Sequence, residues 1–104
     1  MAVEQMLMEK SDGVRLDRWL WSARFFKTRQ NAADAVRSGR VLINDQRTKP
    51  AKTVRTGDKL QIRKAAFRYL IEVTVLTDKR VGPAIAAGLY READESLQAR
   101  RTLQ

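Results

Sequence analysis

Apolar residues near the start of the chain repeat with the period of an α-helix, and further along the period becomes that of a β-strand. Over residues 15–26 the apolar positions fall at i, i+3, i+4, i+7 and i+10, which predicts a first helix with one face toward a core. Thr28 is the expected N-cap of a second helix that runs to Ser38 and ends at Gly39. The apolar stripe of the first helix consists of Leu16, Trp19, Leu20, Ala23 and Phe26.

Beyond the second helix the sequence alternates as extended segments do. Strands are predicted at Val41–Ile43, at 59–63 and at 69–76, with turns between them. Pro83 suits the first turn of a final helix, in which apolar residues recur at helical spacing. The order predicts an α+β fold: two packed N-terminal helices, a small, mainly antiparallel sheet, and a C-terminal helix. The apolar residues of the final helix are Ala86, Tyr90, Ala93 and Leu97.

The excess positive charge of the chain lies in one segment. The 104 residues include 21 Lys and Arg against 12 Asp and Glu, a net charge of +9, whereas residues 15–64 alone carry +10. Such a block indicates an anionic partner. Nucleic acid is favoured over a membrane surface because the cations are spread over helices, turns and strands, and because Arg, which binds phosphate with two parallel hydrogen bonds, outnumbers Lys there. A basic surface that only confers solubility remains an alternative.

Two residue types are missing, and their absence bears on catalysis. The chain contains no Cys and no His, which excludes a disulfide framework, a Cys/His zinc site, a thiolate nucleophile and a Ser-His-Asp triad. The acids form no catalytic or metal-binding motif, so we expect a protein that is not an enzyme and has no cofactor. No apolar run approaches the roughly 20 residues of a membrane span, and the first residues lack the basic start of a signal peptide. A cytoplasmic protein is expected.

The basic residues fall mainly at helix ends and turns, where backbone N–H groups are also free to bind phosphate. The start of the second helix, at Lys27, Thr28 and Arg29, is the best single candidate for such a contact. Asp17 has a structural explanation, because it favours the start of the first helix or orients an arginine. Asn44 is a weaker candidate for RNA contact, and a role as a turn residue explains it at least as well. The positions of the basic residues predict binding along the phosphate backbone and not readout of base edges.

Several sequence segments occur in the order and spacing of a known family. Residues 15–64 resemble the S4 RNA-binding domain in R-L-D-R-W-L (15–20), F-F-K-T-R (25–29), A-x-x-x-V-R-S-G-R-V-L-I-N (32–44) and V-R-T-G-D-K-L (54–60). The run W-L-W-x-A-R-F-F-K-T-R, the segment R-x-K-P at 47–50 and A-x-x-L-Y-x-E at 86–92 are similar to the heat-shock protein 15 family, whose members are small and ribosome-associated.

This resemblance implies a free-standing, non-catalytic protein that binds structured ribosomal RNA, with tRNA as a further candidate partner. The partner would be the large ribosomal subunit blocked by a nascent chain still attached to tRNA, and the outcome its recycling or rescue. We expect a flexible N-terminal tail at 1–14, an S4-like RNA-binding domain at 15–64, and a strand and helix at 65–104 packed on the same domain, in a chain that is a monomer when free. The implied RNA-binding residues are Arg15, Arg18, Arg24, Lys27, Thr28, Arg29, Arg37, Arg40, Lys49 and Lys52.

Other functions remain open at this point. The chain could bind DNA or polyanions in general, or it could be a targeting module related to enzymes that modify ribosomal RNA. Trp21 and Phe25 project away from the apolar stripe, where they could stack on bases or be covered by later elements. We favour burial for both.

Overall fold

A computed structural model describes residues 13–103, and the first strand begins directly after Gly13. Residues 1–12 of the expected N-terminal tail lie outside this range, whereas Val14 is buried in a strand. The elements are β1 (Val14–Arg15), α1 (Leu16–Ser22), α2 (Arg29–Arg37), β2 (Val41–Ile43), β3 (Thr53–Val54), β4 (Lys59–Lys64), β5 (Phe67–Val73), α3 (Pro83–Ala86), β6 (Tyr90–Glu92) and α4 (Asp94–Leu103).

The first helix is shorter than predicted because the chain turns sharply after Ser22. Arg24 has a φ of 64°, and its N–H donates to the Trp21 carbonyl while the Phe25 N–H donates to the Leu20 carbonyl. This pair of bonds is the Schellman arrangement that ends many helices, usually with glycine at the left-handed position. Phe25 is therefore outside the helix, although its ring is still buried.

The second helix begins and ends where the sequence predicts. The Thr28 hydroxyl accepts a hydrogen bond from the Asn31 N–H at 3.0 Å, which caps the helix start. Gly39, with φ of 81°, ends the helix through the same Schellman bonds as those after α1. Close packing of α1 on α2 is possible because the buried face of α2 is mostly alanine: Ala32, Ala33, Ala35 and Val36.

The main sheet is antiparallel throughout, with the strand order β2-β4-β5-β6. Its central hairpin joins β4 to β5 through Ala65 and Ala66, so β5 starts and ends earlier than the predicted strand at 69–76. A second, two-stranded sheet pairs Val14 with Val54. That pairing was not predicted, since each strand is only two residues long and its partner lies about 40 positions away.

The prediction of one continuous helix from Pro83 is wrong. Instead α3 ends at Ala86, the chain turns through Gly88, and β6 adds to the edge of β5 before α4 begins. The Leu89 carbonyl accepts from the Thr74 and Val75 N–H groups, and its side chain is fully buried. Satisfying the free edge of β5 therefore outweighs the local helical pattern.

The core lies between the helix pair and the inner face of the main sheet. Trp19 is fully buried at its centre, and its ring lies 6.4 Å from those of Phe25 and Tyr90, centre to centre. Phe25 also packs edge-on against Tyr69. Aromatic rings from α1, from the turn after it and from the two last strands thus share one core.

Candidate nucleic-acid interface

The turn between α1 and α2, which we call the corner (residues 23–29), carries four of the predicted RNA-binding residues. The segment 77–82, here called the strap, packs against it. The Arg24 guanidinium donates to the Val81 carbonyl at 3.1 Å, and Arg80 in turn donates to the Lys27 carbonyl at 2.9 Å. These two crossed hydrogen bonds fix the corner, while the side chains of Lys27, Thr28 and Arg29 remain exposed.

The two aromatic residues considered for base stacking are largely covered. Phe25 is buried, as predicted, with its ring 4.8 Å from that of Tyr90. Trp21 is half-buried, and the Arg80 guanidinium lies 5.7 Å from its ring centre, a cation–π geometry. Arg80 therefore occupies a face of the Trp21 ring on which a base could stack.

Three predicted residues line one cleft. Arg15, Arg18 and Arg29 surround a space of about 340 Å³ together with Asp78 of the strap. Arg18 lies 3.7 Å from the Asp78 carboxylate. Because both side chains are partly exposed, this ion pair contributes little stability.

Arg15 also forms the strongest ion pair of this region. Its Nε and Nη2 donate to the two carboxylate oxygens of Asp17 at 3.1 and 3.0 Å. The hydrogen bond with Asp17, followed by the charge of that carboxylate, raises the pKa of the Arg15 guanidinium. Asp17 is buried, which confirms its predicted role in orienting an arginine and holds Arg15 at the mouth of the cleft.

A second cleft continues from Arg15 on its other side. Arg15, Arg37 and Lys49 line a space of about 440 Å³ above the buried Pro50. Next to it, Lys49 and Lys52 share a shallow depression with Arg47. Arg15 therefore connects the two clefts, and the basic side chains of α1, α2 and the 47–52 loop form one continuous surface.

Two predicted turn positions have clear structural roles. Arg40 follows α2, where its Nε donates to the Ser38 hydroxyl at 2.9 Å and its charge stays exposed. Asn44, with φ of 49°, donates to Asp58 and accepts from the Lys59 N–H at 3.0 Å. This bonding confirms Asn44 as a turn residue.

Six of the nine predicted basic residues have no acidic partner within residues 13–103. Arg15, Arg18 and Arg37 form the ion pairs of this group, the last with Asp34. The basic residues that form none there are Arg24, Lys27, Arg29, Arg40, Lys49 and Lys52. Cations left uncompensated in one region attract a polyanion.

Sequence reasoning missed two residues of this surface. Arg47 donates to the Arg37 carbonyl at 3.0 Å and lies under Gly39, where an added Cβ would come within 3.1 Å of its guanidinium. Its place in the basic segment was a usable signal. Arg80 had no such signal, because it lies outside that segment and reaches Lys27 across 53 positions of the chain.

A further groove, of about 550 Å³, lies on the outer face of the sheet and has a different character. Lys59 and Arg91 line it together with Glu72 and Glu95, and Arg91 pairs with Glu72 at 3.0 Å. The mixed charges make this groove a poor site for a polyanion. No group of His, Asp and Glu residues in the described part of the chain could hold a metal ion, and none of its helices is long and apolar enough to cross a membrane.

The comparisons with known proteins agree with this geometry. Residues 14–60 match the S4 domain family, and this range includes the corner, the basic residues of both clefts and the 47–52 loop. A heat shock protein 15 homolog from Haemophilus influenzae is 41% identical over 90 residues, 86% of this chain and 69% of that protein. This chain belongs to the heat shock protein 15 family. A trimeric structure of Vibrio cholerae heat shock protein 15 matches with a TM-score of 0.83 and 41% identity, over 88% of this chain and 92% of the other.

A further relative matches a shorter stretch of the chain. The RQC P-site tRNA stabilizing factor of Listeria innocua is 38% identical over 50 residues, 48% of this chain and 54% of that protein. The solved structure confirms the α+β fold with its S4-like helix pair and antiparallel sheet. Together the family and the matched domain support an RNA-binding, ribosome-associated role.

Proposed function

We propose that this chain is a non-catalytic protein that binds structured ribosomal RNA on the large ribosomal subunit. The observation that carries the proposal is the continuous basic surface on which Arg15 joins two clefts. Its arginines can each bind a phosphate through two parallel hydrogen bonds. The corner adds the exposed Lys27 and Arg29 beside the start of α2, where backbone N–H groups favour anions.

The role of each predicted residue follows from its place on this surface. Phosphates of one RNA strand would lie in the two clefts, and a neighbouring strand would lie at the corner. Such binding reads the shape of folded RNA and the spacing of its phosphates, not its base sequence. RNA binding is assigned to residues 15–64, with residues 65–104 packed on the same domain as support. The contact residues are Arg15, Arg18, Arg24, Lys27, Thr28, Arg29, Arg37, Arg40, Lys49 and Lys52.

The proposed biological step is recycling or rescue of large subunits that are blocked by a nascent chain on tRNA. The Listeria innocua relative is named for stabilising P-site tRNA, and its similarity covers 48% of this chain. We extend that contact to peptidyl-tRNA here. The free chain would act as a monomer in the cytoplasm, and light scattering of the purified protein tests the oligomeric state.

Co-sedimentation with purified ribosomal particles tests this proposal. Free large subunits, large subunits blocked by peptidyl-tRNA, and small subunits are each mixed with the protein at matched salt, with duplex DNA as competitor. We expect binding to large subunits, tighter when they are blocked, that survives an excess of DNA. Equal binding to small subunits, or full competition by duplex DNA, would instead establish a general polyanion binder.

A further inference from the structure

The hairpin between β4 and β5 carries positive charge on Arg63 and Arg68, for which residues 13–103 provide no ion-pair partner. Arg63 and Arg68 are directly opposite each other in the two strands, and both are exposed. The Arg63 N–H donates to the Arg40 carbonyl on the other side of β4, so the pair of arginines is of the non-hydrogen-bonded kind, in which opposed side chains lie closest. Like charges in that arrangement destabilise a sheet.

At the opposite end of the same sheet face, the cations lie beside an acid. There Lys59 is directly opposite Glu72, which also pairs with Arg91 at 3.0 Å. At the hairpin end, by contrast, residues 61–70 include three cations and no acid. Glu95 lines a small pocket beside Arg68, but no ion pair joins Arg68 or Arg63 to an acid within residues 13–103.

The hairpin also adjoins the proposed RNA-binding surface at two points. Lys64 places its Nζ 5.9 Å from the centre of the Phe26 ring, and Phe26 directly precedes Lys27 of the corner. Arg63 is bonded through its backbone to Arg40, which follows the other end of α2. The hairpin therefore contacts residues that flank both ends of this helix.

We propose that Arg63 and Arg68, on the outer face of the sheet, form a second phosphate-binding patch at the end of the hairpin, with Lys64 on the opposite face against Phe26. This patch extends RNA contact beyond the S4 match that ends at residue 60. An RNA strand leaving the corner would pass over the hairpin, and its phosphate would neutralise the opposed arginines. The proposal rests on the proposed RNA binding. In the protein alone the opposed arginines disfavour the sheet, and phosphate binding would give them a function.

The test compares two variants that each remove two positive charges from the same sheet face. Arg63→Gln/Arg68→Gln removes the opposed arginines. Lys59→Gln/Arg91→Gln removes the two cations that lie beside Glu72 at the other end. Binding to refolded large-subunit ribosomal RNA is measured over a salt series for both variants and the unmodified chain. We expect the hairpin variant to lose roughly 10-fold or more in affinity and about two units of salt slope. The control variant should stay within about 2-fold.

Thermal unfolding of the same proteins separates binding from folding. The hairpin variant should unfold at the same temperature or higher, because a like-charge repulsion is removed. Unchanged RNA affinity in the hairpin variant would overturn this proposal and leave RNA binding by the corner standing. An equal loss in both variants would also overturn it. Failure of the unmodified chain to bind the RNA would refute the proposed function itself.

Discussion

The indole N–H of Trp19 donates a hydrogen bond to the backbone carbonyl of Val75 at 2.9 Å, and both residues are buried. This bond joins the centre of α1 to the segment that leaves β5. It connects the basic helical part of the chain to the C-terminal part across 56 positions. The core and the placement of the strap against the corner both depend on this connection.

Replacing Trp19 should destabilise the whole fold. Trp19→Phe leaves the buried Val75 carbonyl without its donor and also creates a small void, for an expected loss of about 2–4 kcal/mol in the free energy of unfolding. Urea denaturation measures it. The matched control is Trp21→Phe, a half-buried residue of the same helix, for which we expect less than about 1 kcal/mol. Equal losses in the free energy of unfolding for the two variants would contradict a stabilising role of the Trp19–Val75 bond.

Arg24 offers a way to remove a corner charge without harming the fold. Its φ of 64° suits glycine, so Arg24→Gly relieves roughly 1 kcal/mol of backbone strain while it loses the exposed bond to Val81. We expect stability within about 1 kcal/mol of the unmodified chain and an RNA salt slope lower by about one unit. Arg24→Ala keeps the strain and should be the less stable variant. The prediction fails if the glycine variant unfolds first in urea.

Variants of Thr28 distinguish the effect of helix capping from that of RNA contact. Thr28→Ala removes the cap and should cost about 1 kcal/mol in the free energy of unfolding. Thr28→Asp and Thr28→Asn both keep the cap, but only the aspartate places a negative charge between Lys27 and Arg29. We therefore expect near-normal stability in both and weaker RNA binding in the aspartate variant alone. Equal RNA affinity of the two variants would place the corner outside the binding surface.

Tyr90 should make the fold sensitive to alkaline pH. Burial, and then the nearby Glu92 carboxylate, raise the pKa of the Tyr90 phenol above its ordinary value of 10.0. Its neutral form is therefore favoured in the folded chain. The contribution of the neutral Tyr90 phenol to the free energy of unfolding is fully present below a pH of about 10, the ordinary pKa of tyrosine. It is lost as the pH rises through the folded-state pKa. Urea midpoints between a pH of about 9 and about 11.5 should fall less steeply for Tyr90→Phe than for the unmodified chain. Parallel curves would contradict this.

The parts of the fold that were predictable are those with local signals. Thr28 and Gly39 mark the ends of α2 by cap chemistry alone, and alternating residues mark β2 and β4. The end of α1 was not predictable, because Arg24 adopts a conformation that sequence associates with glycine. The prediction of one continuous C-terminal helix was wrong because the Leu89 carbonyl accepts hydrogen bonds from Thr74 and Val75, at the end of β5. Helical spacing within the segment carries no sign of that pairing.

The candidate site divides in the same way. Local charge was enough to select the corner and the 47–52 loop, since cations are visible in sequence. Their arrangement was not, because only the folded chain shows that Arg15 lines two clefts. The same holds for Asp78 and Arg80, which reach the basic surface from outside the charged segment.

The central claim is that the basic surface binds ribosomal RNA through the corner. The most direct measurement is the salt dependence of binding to refolded large-subunit ribosomal RNA for the unmodified chain and for Lys27→Gln/Arg29→Gln. Neither side chain forms an ion pair within residues 13–103, so folding should be unaffected. We predict a salt slope lower by about two units in this variant, and an unchanged slope in Lys59→Gln/Arg91→Gln. The same slope in all three proteins would contradict the claim.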